Sequence, residues 1–234
     1  MPDLYYVYTV VYSEYGGNYF LVGFQKKAKG YYFSDGKGSG KIVVKGQPLN
    51  GALKFALPGG QFEGTDWDDD DDVIQQCEKE FIEECGREIS FPANDEIEDG
   101  GSSSGGDTTI QLVAHLARWP QDISTRKGTI KGFAAMYLKV PYGQLDTMVG
   151  YLTGTLAQGA QAEQDIITKK LKSKDYDQIG QLYPLSPWDD EIALTGPPVL
   201  EIEGAKFDQS PLWGQLSDEG NDWFVTILKN LKNL

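Results

Sequence analysis

Three glutamates in one short segment have the residue type and spacing to bind a metal ion. Glu80, Glu83 and Glu84 lie three and four residues apart, so on a helix at about 100° per residue they share one flank. Carboxylate oxygens on such a flank are donors that the hard cations Mg²⁺ and Mn²⁺ prefer. Gly59 and Gly60, here called the glycine turn, precede them and leave the backbone open to a ligand. The pattern indicates a candidate site for a divalent cation.

The elements around these glutamates are predicted as strand, glycine turn, acidic loop and helix. Residues 53–57 are typical of a short strand, and residues 73–86 of a helix whose apolar face includes Cys77 and Phe81. An acidic helix face by itself is also typical of a solvated surface, because like charges at this spacing cost only about 0.2–0.5 kcal/mol per pair. The order of turn, acidic loop and glutamates is what favours a site.

The segment from Gly60 to Gly86 resembles the signature of the Nudix hydrolase family. That signature is glycine, five residues, glutamate, seven residues, and then Arg-Glu-aliphatic-any-Glu-Glu-any-Gly-aliphatic. The matching positions are Gly60, Glu80, Phe81 in the apolar slot, Glu83, Glu84 and Gly86. The sequence departs from the signature in four ways: Asp66 replaces the first glutamate, twelve residues follow it, Lys79 replaces the arginine and Arg87 the aliphatic residue.

The resemblance implies a Mg²⁺- or Mn²⁺-dependent hydrolase that cleaves the pyrophosphate bond of a nucleoside diphosphate derivative. It implies that Glu80, Glu83 and Glu84 ligate the cation, with the Gly60 carbonyl as a further ligand. One of the two adjacent glutamates, with Glu83 as the catalytic candidate, or an acid from a distant loop would accept the proton from water, and Lys79 would orient Glu80 or Glu83. The departures at Asp66 and Lys79 leave open a catalytically silent Nudix-fold module that binds a ligand or a protein. An unrelated acidic interaction protein is the third interpretation.

Other acidic groups have both a functional and a structural interpretation. Glu163, Asp165 and residues 189–191 are candidates for the general base, although an ordinary surface charge is the favoured interpretation of each. Residues 68–72, here called the acidic run, suggest one of two things. They form a second cation site, or they mark the start of a helix in which Asp72 is the N-cap and Gln75, three residues on, completes a pair similar to a capping box. His115 on a predicted strand faces the substrate or fills a structural role.

The flanking elements predict an α/β fold. The resemblance implies a Nudix-like α/β/α sandwich with a mixed sheet, forming a single domain over residues 1–234 with loop and helix insertions near 26–51, 92–108 and 142–178. Residues 67–72 would be a further, shorter insertion. The predicted strands are 4–12, 19–25, 42–44, 109–118 and 132–140; residues 142–174 and 221–234 are predicted as helical, 95–107 as an exposed loop and 184–198 as a proline-rich connection.

Charge and composition restrict the partners. The chain has 21 Lys plus Arg against 35 Asp plus Glu, a net charge of −14, which argues against nucleic acid in bulk and against an anionic membrane surface. The expected partner is a small nucleotide-type molecule whose phosphates need cations to approach. The family resemblance also allows a homodimer formed through the aromatic first strands. Cys77 and Cys85 lie too far apart on one helix for a disulfide, and with no signal or membrane segment the expected location is the cytoplasm.

Overall fold

A mixed β-sheet between two layers of helices forms the centre of the computed structural model, which describes residues 2–34, 40–85, 102–104, 110–172, 174 and 192–234. The strands are β1 (Asp3–Tyr15), β2 (Asn18–Lys26), β3 (Lys29–Ser34), β4 (Gly40–Pro48), β5 (Phe55–Ala56), β6 (Gly59–Gln61), β7 (Ser102–Ser104), β8 (Gln111–Ser124), β9 (Thr129–Lys139) and β10 (Ile192–Ile202). The α-helices are α1 (Asp70–Cys85), α2 (Leu145–Lys169), α3 (Pro211–Asp218) and α4 (Asp222–Lys229), with 3₁₀ turns at Tyr142–Gln144, Gly204–Gln209 and Asn230–Asn233.

The sheet has the order β10-β2-β1-β9-β8-β7, with β5 paired to β2 and β6 paired to β1. The pairing of β1 with β9 is parallel, and the other pairings of this sheet among the described residues are antiparallel. The central strand β1 therefore has β9 along one side, while β6 and β2 share the other. This arrangement places the glycine turn, which lies in β6, beside the first half of β1.

Alternate residues of β1 are buried on the two faces of the sheet because strand side chains alternate in direction. Val7 and Val11 pack with α1 and α2, and Tyr8 and Tyr12 pack with the C-terminal helices α3 and α4. The predicted α/β fold and its three layers are confirmed. The predicted hairpin is also confirmed, since β1 pairs with β2 up to Tyr15 and Asn18.

Several boundaries differ from the predicted ones, and the C-terminal part shows the largest differences. The prediction of a proline-rich connection over residues 184–198 is wrong from Ile192 onward, because β10 begins there and pairs with β2. Pro197 and Pro198 fall where the register of that pairing shifts, which is where a strand tolerates residues without an amide hydrogen. The short helix α3 was not predicted, and the C-terminal helix ends at Lys229 and continues as a 3₁₀ turn.

Two of the predicted insertions contain regular structure. The region near 26–51 holds the two-stranded sheet of β3 and β4, and the region near 142–178 holds α2. Ile42 of β4 packs on Ile166 of α2, and the Lys27 ammonium lies 2.7 Å from the Glu163 carboxylate. The third region, near 92–108, lies largely outside the described residues, and the single-domain organisation stays a prediction.

Two further properties follow from the described part of the chain. Cys77 and Cys85 are both buried and are not joined by a disulfide, as the spacing predicts. No described helix combines the length and the apolar character that a membrane span requires.

Candidate active site at the glycine turn

The glycine turn is built against β1 so closely that one of its residues has to be glycine. Gly59 pairs in register with Tyr8, and Gly60 with Val7. Gly59 has φ +150°, and a Cβ on it would lie 2.1 Å from the Val7 carbonyl oxygen. A side chain cannot occupy that space without moving the backbone. The turn therefore has its position fixed by the central strand of the sheet.

Two of the three predicted ligands approach this turn from α1. The Gly59 amide donates a hydrogen bond to Glu84 Oε2 at 2.7 Å. Glu80 lies against Gly60, where an added Cβ would be 2.4 Å from Glu80 Oε2. The structure thus brings Gly60, Glu80 and Glu84 together, as the sequence pattern anticipates, although their role as ligands stays a prediction.

Burial of α1 explains how its carboxylates reach the turn. Val73, Cys77 and Phe81 are fully buried on the face that packs on β1 and β9. The Cys77 thiol donates to the Tyr8 carbonyl oxygen at 3.8 Å, and Thr155 of α2 donates to the Cys85 carbonyl oxygen at 2.6 Å. The helix is therefore held at its middle and at its last turn.

Glu80 is the carboxylate whose charge is least accommodated by its surroundings. Burial raises its pKa, and the neighbouring Glu83 carboxylate raises it further. The Gln76 side-chain amide, which donates to Glu80 Oε1 at 2.7 Å, and the Lys79 charge offset this only in part. A partly buried carboxylate with a raised pKa is a feature of many functional sites.

Glu83 and Lys79 lie on the outer side of this group. Glu83 is exposed, and its charge acts on both Glu80 and Lys79. The Lys79 ammonium donates to Glu63 Oε2 at 3.1 Å, and this hydrogen bond raises the pKa of Lys79. The predicted orienting role of Lys79 and the catalytic role of Glu83 stay predictions.

The acidic run has a structural explanation that differs from the predicted cap. The helix begins at Asp70, so Asp72 lies inside its first turn. Asp72 Oδ2 accepts hydrogen bonds from the Thr65 amide at 3.0 Å, the Thr65 hydroxyl at 2.6 Å and the Asp66 amide at 2.8 Å. These donors, the Thr65 hydroxyl foremost, lower the pKa of Asp72. The predicted cap at Asp72 is wrong because its carboxylate binds the preceding loop instead.

The loop carries a contact that sequence reasoning missed. Trp67 stacks on Tyr5, and Arg118 of β8 reaches both the Trp67 ring and Asp70. The only sequence signal was a tryptophan in an otherwise polar loop.

The remaining candidates lie elsewhere or outside the described residues. Glu163 pairs with Lys27, and Asp165 pairs with Lys169 at 2.7 Å, so both lie in ion pairs on α2. His115 is half-buried on β8 opposite Tyr137. Residues 189–191, Gly86 and Arg87 are not among the described residues.

The donor set suits Mg²⁺ or Mn²⁺ in its chemistry, because it offers carboxylate oxygens beside an open backbone turn. Across the described ranges, however, no three His, Cys, Asp or Glu side chains are grouped closely enough to hold a metal ion. Glu80 is turned toward Gln76 and Glu84 toward the Gly59 amide. A shared cation would therefore require these side chains to come closer together than they lie in this structure.

Comparison with known proteins gives a limited likeness to solved structures. No family model and no curated protein sequence matches the chain. The crystal structure of a mutT/nudix family protein from Listeria innocua is similar over 62% of this chain and 70% of that chain, at 18% sequence identity and a TM-score of 0.30. A likeness of that size assigns neither a family nor an activity.

Proposed function

We propose that the chain is a Mg²⁺- or Mn²⁺-dependent, Nudix-type hydrolase that cleaves the pyrophosphate bond of a nucleoside diphosphate derivative. The observation that carries this proposal is the convergence of Glu80 and Glu84 on the glycine turn, with the pKa of Glu80 raised by burial. The resemblance of residues 60–86 to the Nudix signature supplies the reaction.

Each group has a role under this proposal. Glu80, Glu83 and Glu84 would hold the cation with the Gly60 carbonyl, and the bound cation would in turn hold the phosphates of the substrate. The bound ion would supply positive charge at the scissile phosphate and lower the pKa of the attacking water. Glu83, exposed at the outer side of the group, would accept a proton from that water.

Charge supports the need for a cation. A chain of net charge −14 repels a polyphosphate, and three carboxylates at the site add to this repulsion. Two divalent ions would bring four positive charges to those three carboxylates and reverse the local sign. The proposed partner is a small nucleotide-type molecule, and the proposed location remains the cytoplasm.

The test is a phosphate-release screen of the full chain with Mg²⁺ or Mn²⁺. The panel contains nucleotide sugars, dinucleoside polyphosphates, ADP-ribose and NADH, with a phosphatase added to release phosphate from the products. The double substitution Glu83→Gln/Glu84→Gln is expected to reduce turnover about a hundredfold or more, since the metal supplies several kcal/mol of transition-state stabilisation.

The matched control removes the same amount of charge elsewhere. Asp146→Asn/Asp218→Asn changes two exposed carboxylates on α2 and α3 and is expected to leave turnover unchanged. Mn²⁺ binding without turnover on any substrate would favour the silent ligand-binding module, which the engagement of Lys79 by Glu63 also fits. Absence of Mn²⁺ binding would contradict the proposal in both forms.

A further inference from the structure

The lysines of this acidic chain are concentrated in two segments that lie far apart in the sequence. Of the 18 lysines, ten fall within residues 26–45 and 169–174, and these two segments contain a single acid, Asp35. The first segment includes β3, and the second begins at the last residue of α2. The net charge of −14 therefore conceals a local excess of positive charge.

The fold brings the two segments together through a small apolar cluster. Ile42 of β4 packs with Ala162 and Ile166 of α2, and Tyr31 and Leu171 are partly buried against them. Six exposed lysines from the two segments are here called the basic surface: Lys29, Lys45, Lys169, Lys170, Lys172 and Lys174. Because one cluster holds both segments, their charges can act on a single partner.

Two acids of α2 beside this cluster are covered and paired. The Glu163 side chain is 14% exposed and lies 2.7 Å from the Lys27 ammonium, and the Asp165 side chain is 15% exposed and lies 2.7 Å from that of Lys169. Both acids are therefore neutralised where they lie, and the exposed lysines keep a positive excess. At physiological ionic strength charges are screened over about 8 Å, so this local excess decides what binds here.

One of these lysines occupies a backbone position that normally favours glycine. Lys170 follows α2 with φ 53° and ψ 45°, in the left-handed region, and its amide donates to the Ile166 carbonyl oxygen. The Leu171 amide donates to the same oxygen at 3.2 Å, and the Leu171 side chain returns to the apolar cluster. Such a helix ending is usually made by glycine, because a Cβ is strained there.

The strain at Lys170 is not needed to complement the helix dipole. Lys169, in the last turn of α2, already supplies a positive charge at the negative end of the helix. A lysine that replaces the favoured glycine therefore costs stability without an evident structural gain. A strained residue of this kind suggests a use for its side chain, which here is a positive charge on the basic surface.

We propose that the basic surface binds the phosphate backbone of a single nucleic-acid strand, without reading its base sequence. Lysines that neutralise backbone phosphates release condensed counterions, which favours such a strand over partners of lower charge density. β3 also places Tyr31, Tyr32 and Phe33 between Lys29 and Lys41, and aromatic residues among basic ones are typical of single-strand binding. The acidic remainder of the chain limits the contact to this surface.

An anionic membrane fits the surface less well. Among the described residues, none of the exposed large apolar side chains belongs to the basic surface, so a bilayer would find no apolar anchor there. The surface shares no residue with the candidate active site. The proposal goes beyond the proposed function and needs no divalent cation.

The test is the binding of a fluorescein-labelled oligothymidylate to the full chain, followed by fluorescence anisotropy in EDTA over a range of KCl concentrations. Affinity is expected to fall as salt rises, with a logarithmic slope of about 0.7 for each phosphate that the surface neutralises. Vesicles containing phosphatidylserine and analytical ultracentrifugation of the chain alone test the other two occupants, a membrane and a second copy.

Lys170→Gly separates binding from stability. Glycine adopts the left-handed conformation without strain, so the thermal midpoint is expected to rise by about 2 °C. Loss of one phosphate contact is expected to weaken oligothymidylate binding about fivefold at about 0.1 M salt. The matched control is Leu53→Gly, at the other described non-glycine residue with a positive φ, 65°; it removes no charge and is expected to leave binding unchanged.

A pair of double variants tests the location of the charge. Lys170→Gln/Lys172→Gln is expected to weaken binding more than about tenfold, and Lys206→Gln/Lys232→Gln, at exposed lysines of the C-terminal part, less than about twofold. Both remove two positive charges, so the long-range repulsion of the strand is the same. Equal effects of the two double variants would overturn the assignment of the basic surface.

The remaining outcomes also decide the proposal. A wild-type chain that does not bind oligothymidylate, or binds it without salt dependence, would overturn it. Tighter binding to the vesicles, or self-association that Lys170→Gln/Lys172→Gln abolishes, would give the surface another occupant and overturn it as well. Because the measurements are made in EDTA, failure of the proposed hydrolase activity leaves this result unaffected.

Discussion

Two carboxylates of α1 lie in opposite environments. Asp72, in the first turn, accepts three hydrogen bonds from Thr65 and Asp66, and its pKa is lowered. Glu80, further along the same helix, is partly buried beside Gly60, and its pKa is raised. Asp72 belongs to the densest run of acids in the sequence, whereas Glu80 does not. The comparison teaches that the density of acids in the sequence does not show which carboxylate has its charge disfavoured; burial and the number of donors decide that.

The largest expected effect comes from moving the turn on which the Glu80 environment depends. Gly59→Ala forces a Cβ toward the Val7 carbonyl oxygen at a positive φ, so we expect a loss of about 2–4 kcal/mol in the free energy of unfolding. Urea denaturation measures it. The adjacent control is Gly60→Ala, whose Cβ meets only the mobile end of the Glu80 side chain and is expected to cost less while displacing that carboxylate. Equal losses in the two variants would show that the turn is not held by β1.

The second prediction tests the opposite pKa directions directly. Because the folded-state pKa of Glu80 is raised, its stabilising contribution is complete only below its unfolded pKa and is lost as pH rises through the folded pKa. Glu80→Gln is therefore expected to raise the thermal midpoint at about pH 7 in EDTA, with the gain disappearing toward about pH 3. Saturating Mn²⁺ is expected to reverse the order, since only the wild type keeps this ligand.

Asp72→Asn is the paired variant and has the opposite sign. Its lowered folded-state pKa contributes stability that is present above the unfolded pKa and is lost as pH falls through the folded pKa. The variant is expected to have a lower midpoint than wild type at about pH 7, and the two are expected to converge in acid below about pH 3. Shifts of the same sign in both variants would contradict the comparison.

The smallest expected effect concerns Lys79, which follows Asp72 and directly precedes Glu80 on α1. Lys79 and Glu63 form an exposed pair, so Lys79→Arg is expected to change the free energy of unfolding by less than about 0.5 kcal/mol. Under the proposed function, turnover is expected to rise, because arginine binds a carboxylate through two parallel donors. Steady-state kinetics measures this, with Lys79→Met as the control for charge. Loss of activity in Lys79→Arg would show that the alignment at this position is wrong.

The strands and the central helix could be predicted because their patterns are local. The alternation in β1 and the spacing of Cys77 and Phe81 in α1 each follow from neighbouring residues. The strand β10 was missed because its prolines usually end a strand, and only the long-range pairing with β2 shows that they fall at a register shift. Local patterns therefore gave the layers of the fold but not all the strands.

The candidate site could be predicted in part for the same reason. The approach of Glu80 and Glu84 to the turn follows from helix periodicity and the order of elements. The hydrogen bonds of Asp72 and the contact of Arg118 with Asp70 depend on a loop path and on a strand far away in the sequence. No spacing rule reports such contacts, so the acidic run was assigned a cap that the structure does not contain.

The prolines of β10 also affect the outer boundary of the sheet. Within the described strand order, β10 is the last strand on its side, and Pro197 and Pro198 have no amide hydrogen to offer a neighbour. An added strand from another molecule would find no amide donor at either proline, which makes this part of the edge a poor template for strand addition.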